Sequence, residues 1–139
     1  MAIIDHIGIA VNSLETARPL YAALLGENAA GEEEVPEEGV RVVFFGEGEG
    51  RVELLEALGP NSSIARFLER RGAGVHHVCL IVPDVGAAVE RARAAGSEPV
   101  SPAVRRGAGG SVVAFLDPRT TGGVLIELKE RRDRRTERG

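Results

Sequence analysis

The feature that most limits what this chain can fold into is that it reads twice. Residues 4–17, Ile-Asp-His-Ile-Gly-Ile-Ala-Val-Asn-Ser-Leu-Glu-Thr-Ala, return at 75–88 as Val-His-His-Val-Cys-Leu-Ile-Val-Pro-Asp-Val-Gly-Ala-Ala. His6 aligns with His77, Val11 with Val82, Leu14 with Val85 and Ala17 with Ala88. Each half then continues alike. A helical stretch closes at Gly26 or Gly96, where a helix end favours glycine. An apolar strand follows, Val40–Phe45 or Val112–Leu116, and then a strand with a central glutamate. That last strand is Val52-Glu53-Leu54-Leu55 in one half and Leu125-Ile126-Glu127-Leu128 in the other. Ser13 and Asp84 suit the N-caps of the two helices. Pro19 fits the first helix only if that helix starts near Thr16, which leaves the proline in the opening turn.

Between the halves a third helix is expected over about 63–71, capped by Ser62 or Ser63 and stopped by Gly72. Ile64, Phe67 and Leu68 form its apolar face, and it joins the two modules. The expected fold is α+β: two tandem β-α-β-β-β modules, about 3–58 and 74–130, with a mostly antiparallel sheet of eight strands. A length of 139 residues suits one such domain. With 4% aromatic residues and no Trp, its core must be aliphatic.

Several classes of function are disfavoured. No apolar run approaches the roughly 20 residues of a membrane helix. A formal net charge of −4 argues against a nucleic-acid-binding face. One cysteine excludes an intrachain disulfide and suits a reducing compartment. The N-terminus has no basic stretch ahead of an apolar one, so no signal peptide is expected and the cytoplasm is the expected location. The acidic run over 27–38 reads as a solvated loop, and residues 131–139 read as a disordered basic tail.

Strand periodicity then separates the histidines. Ile7, Ile9 and Val11 should face the helix layer, with His6, Gly8 and Ala10 on the other side, where small residues would leave an open concave surface. Val78, Leu80 and Val82 repeat the first set, while His77, Cys79 and Ile81 repeat the second. His76 should therefore point away from His77. Cys79 reads as a small buried residue rather than a ligand. Modules related by an approximate two-fold axis would bring His6, His77, Glu53 and Glu127 around one point. A buried carboxylate pair needs a cation or a proton to compensate it. Nitrogen and oxygen donors without sulfur suit Zn, Co, Ni, Mn or Fe and leave an octahedral ion two open positions.

At these residues the sequence resembles the methylmalonyl-CoA epimerases of the glyoxalase (vicinal oxygen chelate) superfamily. The resemblance rests on Asp5-His6-Ile7-Gly8-Ile9-Ala10-Val11, Glu53-Leu54-Leu55-Glu56 and Ser63-Ile64-Ala65-Arg66-Phe67-Leu68. Gly74-Val75-His76-His77 and Gly122-Gly123-Val124-Leu125-Ile126-Glu127-Leu128 complete it, so that it covers roughly residues 3–129. It implies a curved, glyoxalase-like sheet, a homodimer, methylmalonyl-CoA as substrate, and one divalent ion (Co, Zn, Ni or Mn) on residues matching His6, His77 and Glu127. Glu53 stands where some relatives carry glutamine. Some relatives also place a glutamate, proposed as an acid/base, where this chain has Val42, a side chain that cannot move a proton.

The chemistry so implied is interconversion of the 2R and 2S forms by removal and return of the C2 proton through an enolate, in propionyl-CoA metabolism. A divalent ion chelating the carboxylate and thioester oxygens would stabilise the developing charge. Glu127 and Glu53 are the candidates for proton transfer. Arg105, Gly107, Gly109 and Gly110, in the segment 105–111, form either a plain glycine-rich turn or a loop contacting the acyl group or coenzyme A phosphates. Arg66, Arg70 and Arg71 are further candidates for the phosphates. The alternatives within the superfamily are a glyoxalase I-type isomerase (lactoylglutathione lyase), a non-catalytic small-molecule-binding protein and, more remotely, an iron dioxygenase.

Overall fold

The computed structural model describes residues 2–26, 30–106 and 111–131. Eleven helices and strands alternate in the doubled order the repeat predicts. The first half runs β1 (Ile3–Ala10), α1 (Leu14–Leu25), β2 (Ala30–Val35), β3 (Val40–Phe45) and β4 (Arg51–Ala57). Helix α2 (Ser63–Arg71) follows. The second half runs β5 (Gly74–Val82), α3 (Val85–Ala94), β6 (Arg105–Arg106), β7 (Val112–Leu116) and β8 (Leu125–Glu130). The eight strands and three helices give the expected α+β class. Within the halves the hydrogen-bonded strand orders are β2-β3-β4-β1 and β5-β8-β7-β6. The β2–β3, β3–β4, β6–β7 and β7–β8 pairs are antiparallel, and β1 pairs with β4 in parallel. Contacts divide the described chain into two compact units, one spanning Asp5–His77 and one made mainly of Val78 onward.

In the first unit, Ile9 and Val11 pack with Leu14, Ala17 and Tyr21 of α1 over Val43, Phe45 and Leu54. The helix-facing assignment of these β1 residues holds. The opposite face is different from the expected open surface. Ala10 is fully buried with Val40, Val42, Leu55 and Ile64, and Phe67 and Leu68 of α2 close over them. Helix α2 is thus more than a connector: its apolar face covers this end of the sheet. Val42 is a core residue here. In the second unit Leu80, Val82, Val85, Val89, Ala114, Leu116 and Leu128 form the corresponding aliphatic core.

Two local expectations are corrected. Helix α1 begins at Leu14 rather than near Thr16, so Pro19 sits in its second turn. Proline removes one backbone donor there, and the position is exposed, where water can satisfy the freed carbonyl. The acidic run is likewise not simply a loop. Residues 30–35 form edge strand β2 with Glu32, Glu33 and Glu34 exposed, and Pro36–Glu38 make a 3-10 turn. Charged side chains on an edge strand discourage pairing with another chain. The expected tail lies, apart from Arg131, outside the described residues.

The caps fall as predicted. The Ser13 and Asp84 side chains accept from the Thr16 and Ala87 N–H groups at 3.2 and 3.0 Å, and Ser62 rather than Ser63 caps α2. A second capping contact was not foreseen. Glu56 accepts from the Leu14 N–H at 3.1 Å, and Glu130, its equivalent in the repeat, accepts from the Val85 N–H at 3.0 Å. In each half the last strand therefore grips the start of that half's helix, where the orphan N–H groups and the helix dipole favour a carboxylate. Among the described residues no helix is long and apolar enough to cross a membrane.

Candidate metal centre

Strands β1 and β4 run in parallel with His6 opposite Arg51 and Gly8 opposite Glu53, which sets four functional positions side by side. His6 is buried, 7% exposed. Its Nδ1 lies 2.8 Å from Asp5 Oδ2 and 3.0 Å from Glu53 Oε2. Ionised carboxylates only accept, so Nδ1 carries a proton and donates toward them, which leaves Nε2 as the atom that faces His77. The Arg51 guanidinium donates to Asp5 at 3.0 Å and lies 3.9 Å from Glu53, offsetting the charge of both carboxylates. Burial pulls the Glu53 carboxyl upward, but His6, His77 and Arg51 outweigh it and hold it below the usual carboxylate range. Glu53 is therefore ionised at neutral pH.

His6 Nε2 stands 3.0 Å from His77 Nε2, and the two rings meet edge to face with centroids 5.1 Å apart. Burial, with His6 and His76 alongside, holds the His77 imidazole at about 4. It is neutral under ordinary conditions, the form in which imidazole binds a metal. The close approach depends on Gly8. A Cβ at that position would lie 2.2 Å from His77 Cε1, inside any tolerable contact. The small residue beside the histidine thus makes room for the opposing imidazole, which is a more specific use than a generally open surface.

His76 departs from the expectation that it points away. Its Nδ1 lies 2.9 Å from His77 Nδ1, and its ring stands edge-on to Phe67 of α2. Burial lowers its pKa as well.

The remaining predicted residues have their own surroundings. Glu127 lies on β8 directly across from Phe115 of β7, just as Glu53 lies across from Phe44. Arg105 places its guanidinium 5.3 Å from the centre of the same Phe115 ring, and its Nη2 donates to the Ser101 carbonyl at 3.1 Å. Among the described residues its buried Nε has no hydrogen-bond partner. Gly107, Gly109 and Gly110 lie outside the described residues. Arg66 donates to the Asn61 carbonyl, Arg71 stands over Phe67, and Arg70 is exposed. Cys79 is fully buried. Sequence reasoning missed Asp5, Arg51 and His76 as supports of the histidines. The signal was present in one case: Asp5 and His76 occupy equivalent places in the repeat.

These side chains fit a divalent ion. Two nitrogens at right angles, each roughly 2.1 Å from one ion, would stand about 3.0 Å apart, which matches the 3.0 Å between His6 Nε2 and His77 Nε2. A carboxylate on the far nitrogen of a ligating histidine is the usual orienting partner, and Asp5 and Glu53 supply it.

The model of the Glyoxalase/Bleomycin resistance protein/Dioxygenase superfamily matches residues 5–115. Human mitochondrial methylmalonyl-CoA epimerase is 41% identical over 128 residues, covering 91% of this chain and 73% of that protein. The chain belongs to the methylmalonyl-CoA epimerase family of this superfamily. The ethylmalonyl-CoA/methylmalonyl-CoA epimerase of Cereibacter sphaeroides is 39% identical, covering 91% of this chain and 96% of that one. Among solved structures, a methylmalonyl-CoA epimerase in complex with methylmalonyl-CoA and ammonium superposes with a TM-score of 0.79 at 33% identity, covering 94% of each chain.

Proposed function

We propose that this protein is a methylmalonyl-CoA epimerase that interconverts the 2R and 2S forms by proton abstraction at C2. The observation that carries the reading is the 3.0 Å approach of two imidazole nitrogens, one on buried His6 and one on half-buried His77, with the far nitrogen of His6 anchored on carboxylates. Such a pair in an epimerase-family chain is suited to holding one divalent ion. His6, His77 and Glu127 would hold it, while Glu53, expected from the sequence to be a fourth ligand, lies on the Nδ1 side of His6; Co, Zn, Ni and Mn all suit nitrogen and oxygen donors. When bound, the ion supplies Lewis-acid stabilisation of the enolate charge that develops on the substrate oxygens.

The chain's own residues do the rest. Asp5 and Arg51 fix the His6 ring, and Gly8 gives the His77 ring its place. Glu127 and Glu53 are assigned the removal and return of the C2 proton, because Val42 lies in the core and has no proton to offer. The Glu53 carboxylate, kept ionised by its neighbours, is in the state a base requires. Arg105 is assigned to an anionic group of the substrate, supported by its buried, unpartnered Nε beside the Phe115–Glu127 pair. The reading extends to a homodimer in the cytoplasm; Leu20 and Leu24 on α1, 60% and 71% exposed, offer apolar surface for a partner copy.

Elemental analysis combined with deuterium exchange at C2 of methylmalonyl-CoA, before and after chelation, tests the proposal. One equivalent of divalent metal and exchange that chelation abolishes are expected. Lactoylglutathione formation without such exchange would transfer the chain to the glyoxalase I reaction. The base assignment predicts that Glu53→Gln and Glu127→Gln each slow wash-in from at least one enantiomer, by roughly 10²-fold or more. Near-normal exchange from both enantiomers in both variants would remove it.

A further inference from the structure

We propose that His76 is a positioning residue, accepting a hydrogen bond from the His77 Nδ1–H so that His77 Nε2 is left bare toward His6. The inference rests on the metal-site reading above and deepens it.

A neutral imidazole carries one N–H. The 2.9 Å approach of His76 Nδ1 to His77 Nδ1 requires one proton between them, and its ownership decides what His77 presents on its other side. If His76 donated, His77 would hold its proton on Nε2 and point it at His6 Nε2, filling the place of a cation. If His77 donates, its Nε2 faces His6 Nε2 as a lone pair 3.0 Å away, the form in which it can bind a cation.

The repeat favours the second arrangement. Asp5 and His76 are equivalent residues, each immediately before a paired histidine. Asp5 Oδ2 stands 2.8 Å from His6 Nδ1, and His76 Nδ1 stands 2.9 Å from His77 Nδ1. In the first half the preceding residue can only accept, since it is a carboxylate. The second half puts a neutral acceptor in the same place. The His76 ring is itself held, edge-on to Phe67 with centroids 5.0 Å apart, while Arg71 lies 5.9 Å over the other ring of that pair. Helix α2 therefore bears on the orientation of His77 through this intermediate ring.

The test uses nitrogen-15 NMR of the histidine rings in the metal-free full-length protein, paired with calorimetric titration of Co2+. Wild type is expected to carry the His77 proton on Nδ1. His76→Phe keeps a ring of similar shape but no nitrogen; it should move that proton to Nε2 and weaken Co2+ binding about 10–100-fold. His76→Asn offers an amide oxygen near the lost nitrogen and should restore both properties to within a few-fold. A wild-type His77 protonated on Nε2, or a folded His76→Phe with unchanged tautomer and Co2+ affinity, would overturn the proposal. Should His76→Phe fail to fold, the wild-type tautomer and the Asn variant decide it. Wild type that binds no Co2+ overturns the metal reading instead, and the ring protonation still decides the role of His76.

Discussion

The two halves of the chain agree where they hold a site residue and differ at their margins. In both, the first strand carries a histidine, the residue before it contacts that histidine's Nδ1, and the last strand carries a glutamate across from a phenylalanine. In both, a Ser or Asp caps the helix from in front while Glu56 or Glu130 reaches it from the last strand. The second strands carry different side chains: β2 has an acidic edge in Glu32, Glu33 and Glu34, whereas the described part of β6 is Arg105 and Arg106. The equivalent positions Gly8 and Cys79 also differ: at Gly8 even a Cβ would collide with the His77 ring. Duplication has been kept where it fixes a side chain and released where it does not.

That comparison can be broken at several depths. Leu54 and Leu128 are equivalent and nearly fully buried, so Leu54→Ala and Leu128→Ala should each cost about 2–5 kcal/mol in chemical denaturation. A large cost in one half with none in the other would mean that the cores are not alike. Gly8→Ala should force the His77 ring aside and lower C2 exchange about 100-fold, the scale expected of an ångström-level misplacement. Cys79→Ala should cost only about 1 kcal/mol of stability and leave exchange nearly intact; equal losses at both positions would contradict the asymmetry.

Acidification probes the histidine pair directly. His77 titrates near 4 in the fold against an ordinary 6.5, so between these values the unfolded chain binds more protons. The metal-free protein should therefore lose stability as pH falls from 6.5 toward 4, and His77→Gln should flatten that slope. A slope unchanged by the substitution would detach it from His77. The smallest effects belong to the caps: Ser13→Ala and Asp84→Ala should each lower stability by about 1 kcal/mol. Unequal losses would show that the two helix starts are not held alike.

Much of this was legible in the sequence because a duplicated pattern reports each position twice. Both caps, the glutamate strands and the helix-facing residues Ile9 and Val11 followed from periodicity and repeat alignment. What escaped has physical reasons. Strand β2 was hidden because Glu32, Glu33 and Glu34 carry no apolar alternation, its inner pairing being made by backbone with β3. The start of α1 was misplaced because an exposed Pro19 can be borne by water, which a helix rule does not see. The face shared by His6 and Ala10 looked open because the pattern of β1 alone does not reveal that α2 covers Ala10. His76 was turned away by strict strand alternation, although a ring at the next position can still bring its Nδ1 to its neighbour's.

Diffraction from crystals grown with Co2+, recorded at the cobalt edge, addresses the central claim most directly. The account predicts one anomalous peak per chain within about 2.1 Å of both His6 Nε2 and His77 Nε2. Cobalt bound elsewhere, or the two imidazoles joined by a hydrogen bond with no ion between them at saturating Co2+, would contradict it.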